Sequence, residues 1–219
     1  MSGFKAVIFD LDGTLLDTLE DLANSMNRVL SRNKLPTHPV ESYKYFVGDG
    51  ASTLVRRVLP FEVESPEGVF ERLLREFLED YSNNWDVATK PYPGIDKLIK
   101  GLERKGLKMA ILSNKPHKFT KLCVKRFLND FTFNEVFGER PGVPRKPDPQ
   151  GAIELAERLE VTPSQCIYLG DTSIDMKTAV AAGMYPVGVL WGFRDKEELL
   201  KSGAKRLISH PEELFELLQ

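Results

Sequence analysis

Cysteine is nearly absent from this chain. Its 2 cysteines, Cys123 and Cys166, each lie in an apolar periodic stretch. They read as buried thiols, and neither a disulfide framework nor paired zinc-ligand spacing is present. Histidine is almost as scarce, and His38, His117 and His210 are scattered, so each reads as a surface or structural group. No stretch approaches the ~18 consecutive apolar residues of a membrane span, and the short run 6–9 is unlike a signal peptide. A basic excess is missing too. The 30 Lys and Arg stand against 32 Asp and Glu, a formal net charge of -2, which leaves nothing to neutralise nucleic-acid phosphates. Internal repeats and low-complexity tracts are also lacking. These absences exclude a membrane or nucleic-acid partner and fit a cytoplasmic protein.

What is present is ordinary globular material, 219 residues with 42% hydrophobic and 28% charged, enough to bury a full core. Residues 6–9 (AVIF) form an unbroken β-favouring run, the mark of a strand buried on both faces, and it delivers Asp10 at its C-terminal end. Similar runs follow. Residues 107–112 end at Ser113-Asn114, 166–169 at Gly170-Asp171, and 186–190 at Trp191-Gly192. Helical patterns over 94–104, 118–128, 149–159 and 175–182 alternate with them, predicting an α/β fold built on a doubly wound, Rossmann-like parallel sheet. Ligands of such sheets bind beyond the carboxyl ends of the strands.

One segment breaks the rhythm. From about 15 to 85 there are helical patterns without a buried strand between them, which predicts an inserted all-helical domain spanning 15–86. The core is then 1–14 with 87–219. Leu19, Leu22, Ala23, Met26 and Leu30 share one helical face, with Glu20, Asp21, Asn24 and Arg28 on the other. Phe70, Leu73, Leu74, Phe77, Leu78 and Tyr81 repeat the pattern after a predicted N-cap at Ser65-Pro66-Glu67. A shorter stretch carries Leu54, Val55, Val58 and Leu59.

Asp10-Leu11-Asp12-Gly13-Thr14 is the most informative stretch. Two carboxylates separated by one residue, where a strand enters a turn, can face one pocket, and Gly13 permits the tight path. A carboxylate can attack phosphorus, and a neighbouring acid can protonate the departing alkoxide. For that role Asp12 has to be protonated at neutral pH, which adjacent anions would favour. The alternative is a pair of turn-forming or capping aspartates.

The later strand ends carry similar double readings. Ser113 and Asn114 offer a hydroxyl and backbone donors to phosphate oxygens, or form a turn. Lys146 offers a compact cation, or is a surface lysine. Asp171 and Asp175, four apart at a helix start, suit a hard cation, or complement the helix dipole. Taken together, Asp10, Asp171 and Asp175 carry three negative charges, which Mg²⁺ and Lys146 would balance if Asp12 is protonated. Oxygen ligands without histidine or cysteine favour Mg²⁺.

The order of these motifs, DLDGTLLDT from Asp10, Ser113-Asn114-Lys115-Pro116, Lys146-Pro147-Asp148-Pro149 and Gly170-Asp171 through Asp175, resembles the haloacid dehalogenase-like hydrolase superfamily. Val47-Gly48-Asp49-Gly50 and Trp191-Gly192-Phe193 are similar to its phosphoglycolate phosphatase branch. The resemblance implies a nucleophilic Asp10, an acid/base Asp12, and phosphate contacts from Thr14, Ser113, Asn114 and Lys146. It implies magnesium held by Asp10, the Asp12 carbonyl and Asp171, with Asp175 supporting, and a mobile helical cap. A small phosphorylated metabolite is then the expected substrate, 2-phosphoglycolate being favoured, for a monomer or homodimer. The alternatives are a β-phosphoglucomutase-like sugar phosphomutase and a non-catalytic binding or regulatory protein on the same fold. A dehalogenase is disfavoured, because the resemblance gives those relatives neither the Asp12 acid/base nor a magnesium site. Lys44, Arg56 and Arg57 are candidates to meet a substrate carboxylate, Arg56 and Arg57 reading equally as the solvated face of a short helix.

Overall fold

The computed structural model describes residues 3–60 and 68–219. The predicted cap at Ser65-Pro66-Glu67 lies outside them. The chain divides into two compact units, Met1–Leu16 with Pro91–Gln219, and Asp17–Lys90.

The first unit is an α/β fold around a six-stranded parallel sheet. Its strands are β1 (Ala6–Phe9), β4 (Lys108–Pro116), β5 (Glu135–Glu139), β6 (Cys166–Gly170), β7 (Tyr185–Val189) and β8 (Arg206–Ile208), in the order β5-β4-β1-β6-β7-β8. β1 is central, pairing in parallel with β4 on one side and β6 on the other. Its unbroken apolar composition follows from that position. Ala6 and Ile8 join Ala110, Leu155 and Tyr168 in one core cluster, while Val7 and Phe9, on the opposite face, are equally buried. The interspersed helices α5 (Ile95–Arg104), α6 (His117–Phe127), α7 (Gln150–Arg158), α8 (Ser173–Ala181) and α9 (Lys196–Lys201) complete the doubly wound pattern.

The sequence boundaries shift in instructive ways. β4 does not stop before Ser113 and Asn114 but carries both to Pro116, with an irregular register against β5 between Leu112 and Pro116. Ladder bonds are made by the backbone, so polar side chains at a strand end do not terminate pairing. β5 and β8 form the two edges and have no long apolar run to betray them. α8 begins at Ser173 rather than 175, because Thr172 has extended dihedrals and stands as its N-cap.

The second unit holds α1 (Leu19–Arg32), α2 (Tyr43–Phe46), α3 (Ala51–Val58) and α4 (Val69–Asn84). The chain enters it through β2 (Leu16–Asp17) and leaves through β3 (Lys90–Pro91), which pair with each other. Met26 and Leu30 of α1, Val55 of α3, and Leu73 and Phe77 of α4 are buried, as the periodicity of each helix requires. Among the described residues no helix is long and apolar enough to cross a membrane.

Two aspartates of this unit are buried, Asp21 against its expected place on a polar face. Asp80 is buried and pairs with Arg28 and Arg32, each at 2.7 Å. Burial works against its ionised form, yet Arg28 and Arg32 hold its carboxyl below the usual range. Asp21 is 3% exposed, and its carboxylate accepts from the backbone N–H of Ala88 at 2.9 Å, and from the N–H and hydroxyl of Thr89 at 2.9 and 2.7 Å. The residue placed on the polar stripe of α1 therefore fastens the returning chain. Replacing it strands several buried donors. Asp21→Ala is expected to lower the unfolding free energy by about 2–3 kcal/mol, measured by urea denaturation followed by circular dichroism.

Candidate active site

The carboxyl ends of β1, β4 and β6 lie side by side, and the polar residues picked out by sequence sit at the end of β4 and in the segments that follow β1, β5 and β6. Asp10 leaves β1 and donates its backbone N–H to the Leu169 carbonyl at 2.9 Å, so the ladder with β6 continues one residue beyond Phe9. Gly13 then turns with φ 87°, in the left-handed region. A side chain there would also collide with the Asp171 carboxylate.

Lys146 is the hub. Its Nζ lies 2.8 Å from Asp10 Oδ1 and 2.7 Å from Asp175 Oδ1, with its side chain only 3% exposed. The default of a surface lysine is thereby set aside. Asn114 holds the lysine's backbone: its Nδ2 donates to the Lys146 carbonyl at 3.1 Å, and its Oδ1 accepts from the Lys146 N–H at 2.9 Å. Tyr168 of β6 places its ring 5.9 Å from Nζ, close enough for a cation–π contact that sequence reasoning did not foresee. Burial alone would depress the lysine, but Asp10 and Asp175 outweigh it and raise its pKa well above the ordinary value.

Asp175 shows that two competing readings can both hold. Its Oδ2 accepts from the Thr172 N–H at 3.1 Å and hydroxyl at 2.7 Å, capping α8, while Oδ1 takes Lys146. Asp171 is fully buried, with Oδ1 accepting from the Thr14 hydroxyl at 3.1 Å and Oδ2 from the Phe193 N–H at 2.8 Å. Ser113 is buried near the end of β4, where its Oγ accepts from the Lys115 N–H at 3.2 Å, and the strand runs on where a turn was the alternative reading.

Asp12 has a different neighbour from the one expected. Its partner is a cation. The Lys115 ammonium, 3% exposed, sits 3.0 Å from both carboxylate oxygens. Lys115 carried no site role in the sequence reading; the only available signal was its place in the Ser-Asn-Lys-Pro run. The remaining candidates lie in the helical unit and are engaged there. Lys44 pairs with Glu41 at 2.8 Å, Arg57 with Asp49 at 2.6 Å, and Arg56 stacks on Phe70 at 4.7 Å. The structural reading of the histidines is supported by His117 Nδ1, which accepts from the Gly138 N–H at 3.1 Å, and by His38 Nε2, 2.9 Å from the Val58 carbonyl.

Ligand oxygens of Asp10, Asp171 and Asp175 all lie within 4.8 Å of one another. Burial, then Asp175, then the weaker effect of Asp12 push Asp10 up to about 7 despite Lys146. Burial, then Asp175 and Asp10, push Asp171 well above the usual carboxylate range. Four carboxylates, Asp10, Asp12, Asp171 and Asp175, face two ammonium groups, Lys115 and Lys146. The deficit is two charges. One divalent cation would close it, and an all-oxygen donor set suits a hard one. Asp175 already holds an ammonium on one oxygen and two Thr172 donors on the other, whereas Asp171 accepts one uncharged donor on each oxygen, so Asp10 and Asp171 are the carboxylates fitted to hold it.

Comparison with known proteins agrees with this architecture. The family model for haloacid dehalogenase-like hydrolases matches residues 7–189. The phosphoglycolate phosphatase of Pseudomonas putida KT2440 is 32% identical over 205 residues, 88% of this chain and 75% of that protein. The N-acetylmuramic acid 6-phosphate phosphatase of Pseudomonas aeruginosa PAO1 is 32% identical over 216 residues, 98% of this chain and 94% of that protein. A crystal structure of a predicted phosphoglycolate phosphatase from Haemophilus somnus 129PT superposes with a TM-score of 0.92 at 27% identity, covering 100% of both chains. With the family model running from β1 through β7 and over Asp10, Lys146, Asp171 and Asp175, the chain belongs to the haloacid dehalogenase-like hydrolases.

Proposed function

We propose that this protein is a magnesium-dependent phosphatase of small phosphomonoesters, acting through a phosphorylated Asp10. The observation that carries this reading is the buried Asp10 carboxylate beside Lys146 in a pocket two charges short of neutral. An ammonium next to a nucleophilic carboxylate favours an incoming phosphate dianion, which four carboxylates alone would repel.

In the first half-reaction an Asp10 oxygen attacks phosphorus, the bond to the leaving oxygen breaks, and Asp12 gives that oxygen a proton. In the second, Asp12 takes a proton from water, whose oxygen attacks phosphorus and releases inorganic phosphate and the Asp10 carboxylate. Thr14, Ser113 and Lys146 are assigned to the phosphoryl oxygens, and Asn114 to holding Lys146 in place. Asp175 orients the same lysine. Mg²⁺ held by Asp10, Asp171 and the Asp12 carbonyl would balance charge and polarise the phosphoryl group. The Lys115 pair has to open before Asp12 can reach a leaving oxygen, because both Asp12 carboxylate oxygens lie 3.0 Å from that ammonium.

For the substrate we propose 2-phosphoglycolate, after the relatives named phosphoglycolate phosphatase. The equally similar N-acetylmuramic acid 6-phosphate phosphatase favours a second reading, a sugar-acid phosphate. Both are phosphomonoesters of a carboxylic acid. The choice between them is assigned to the helical unit Asp17–Lys90, read as the cap expected over 15–86, and the protein's place of work to the cytoplasm.

On a panel of phosphomonoesters with Mg²⁺, free phosphate should appear and turnover should fall more than about a thousand-fold in Asp10→Asn. Activity kept by that variant would sink the covalent mechanism. An isomerised sugar phosphate formed without free phosphate would instead mark a phosphomutase.

The raised Asp10 pKa sets a pH dependence. The folded, metal-free protein holds this proton up to about 7, whereas the unfolded chain releases it near 3.8. Stability from this group is therefore full below 3.8 and is lost as pH rises through 7. Cation binding needs the ionised form and so strengthens over the same interval. The rise in melting temperature produced by millimolar Mg²⁺ should be larger at pH 8 than at pH 5.5, which scanning fluorimetry would read. An equal rise at both would contradict the assignment.

A further inference from the structure

Trp191, Gly192 and Phe193 follow β7 and have no part in the steps above, yet they grip the site from two sides. The Trp191 indole N–H donates to the Thr14 carbonyl at 3.0 Å, on the turn after β1. The Phe193 backbone N–H donates to Asp171 Oδ2 at 2.8 Å, on the turn after β6. Between them Gly192 is packed so closely that a Cβ would overlap the Asp171 Cβ and lie 2.5 Å from the Gly13 carbonyl oxygen. The Phe193 ring in turn lies against Gly13, where an added Cβ would stand 2.8 Å from it. Glu198 of α9 extends the grip by accepting from the Ser173 N–H at 3.2 Å, at the start of α8.

The consequence for Asp171 is geometric. Thr14 donates to one of its oxygens and Phe193 to the other, so the carboxylate cannot rotate without losing both bonds. Neither donor is charged, and each oxygen keeps a lone pair for a further partner. Partners of this kind around a metal ligand fix its orientation and tune affinity.

We propose that Trp191, Gly192 and Phe193 form a positioning element that sets the divalent-cation affinity of the site by fixing Asp171 and the Gly13-Thr14 turn. This rests on the reading of Asp10 and Asp171 as cation ligands. Trp191 and Phe193 are positioning residues, acting through Asp171 and Thr14.

The test is calorimetric titration of Mg²⁺ into the full chain and two variants, with thermal unfolding of each metal-free protein. Trp191→Phe keeps an aromatic ring and removes the N–H. Its Mg²⁺ dissociation constant should rise about tenfold while metal-free melting stays within about 2 °C, the ring packing being conserved. Gly192→Ala should weaken Mg²⁺ by about a hundredfold. In a Trp85→Phe background, Mg²⁺ should also shift the emission of Trp191. Wild-type Mg²⁺ affinity in Trp191→Phe overturns the proposal, whether or not Gly192→Ala folds. So does weaker binding matched by a general loss of metal-free stability, which would mark a merely structural residue. Absence of Mg²⁺ binding by the wild-type chain would overturn the cation reading itself.

Discussion

The Lys146 ammonium lies between the carboxylates of Asp10 and Asp175, out of contact with water, and the rest of the site follows from making that arrangement tolerable. Taking any one of these charges out of water alone would be costly. The surrounding structure answers with fixed partners: Asn114 on the lysine's backbone, Thr172 on Asp175, Thr14 and Phe193 on Asp171. Each of these donors comes from the carboxyl end of a strand or from the turn that follows one. The parallel sheet therefore does more than carry the residues, because its register brings those turns to one edge.

Satisfying the groups one by one still leaves the site charged. Two ammonium groups cannot neutralise four carboxylates, and the metal-free protein responds by pushing Asp10 and Asp171 towards protonation, chiefly through burial and then through mutual repulsion. A pocket built this way is poised for a positive partner. The same imbalance links cation affinity, phosphate attraction and pH response to a single cause. It also explains why residues that carry no charge, such as Trp191 and Gly192, matter to it. They govern how the buried carboxylates point.

Several polar residues serve structure and site together. Asp175 caps α8 and holds Lys146, and Ser113 accepts a backbone N–H within β4 in the place where a phosphate oxygen is expected. Setting a structural reading against a functional one at such positions therefore poses a false choice. Asp21 and Asp80 are the opposite case, buried carboxylates spent wholly on building the helical unit. What separates the two groups is whether they stand among like charges. Asp21 and Asp80 meet only donors and guanidinium groups, while Asp10 and Asp171 meet each other.

The central strands were legible in sequence because burial on both faces demands unbroken apolar runs, as in residues 6–9 and 166–170. Strand-end chemistry was legible for a related reason, since charge directly after such a run lies at the sheet's carboxyl edge. The edge strands β5 and β8, only half-buried, left no such trace. Nor did the partners: which cation meets Asp12, what becomes of Asp21, and what holds Asp171 depend on residues brought together from 22 to 157 positions apart, from 67 in the case of Asp21, and from 103 in the case of Asp12. Local sequence alone determined which apolar stretches are buried and which ends of the strands carry charge, because periodicity and propensity act between near neighbours. Only the tertiary structure decided how those charges are paired, because pairing is set by sheet order and crossover, which bring distant turns within a few ångströms.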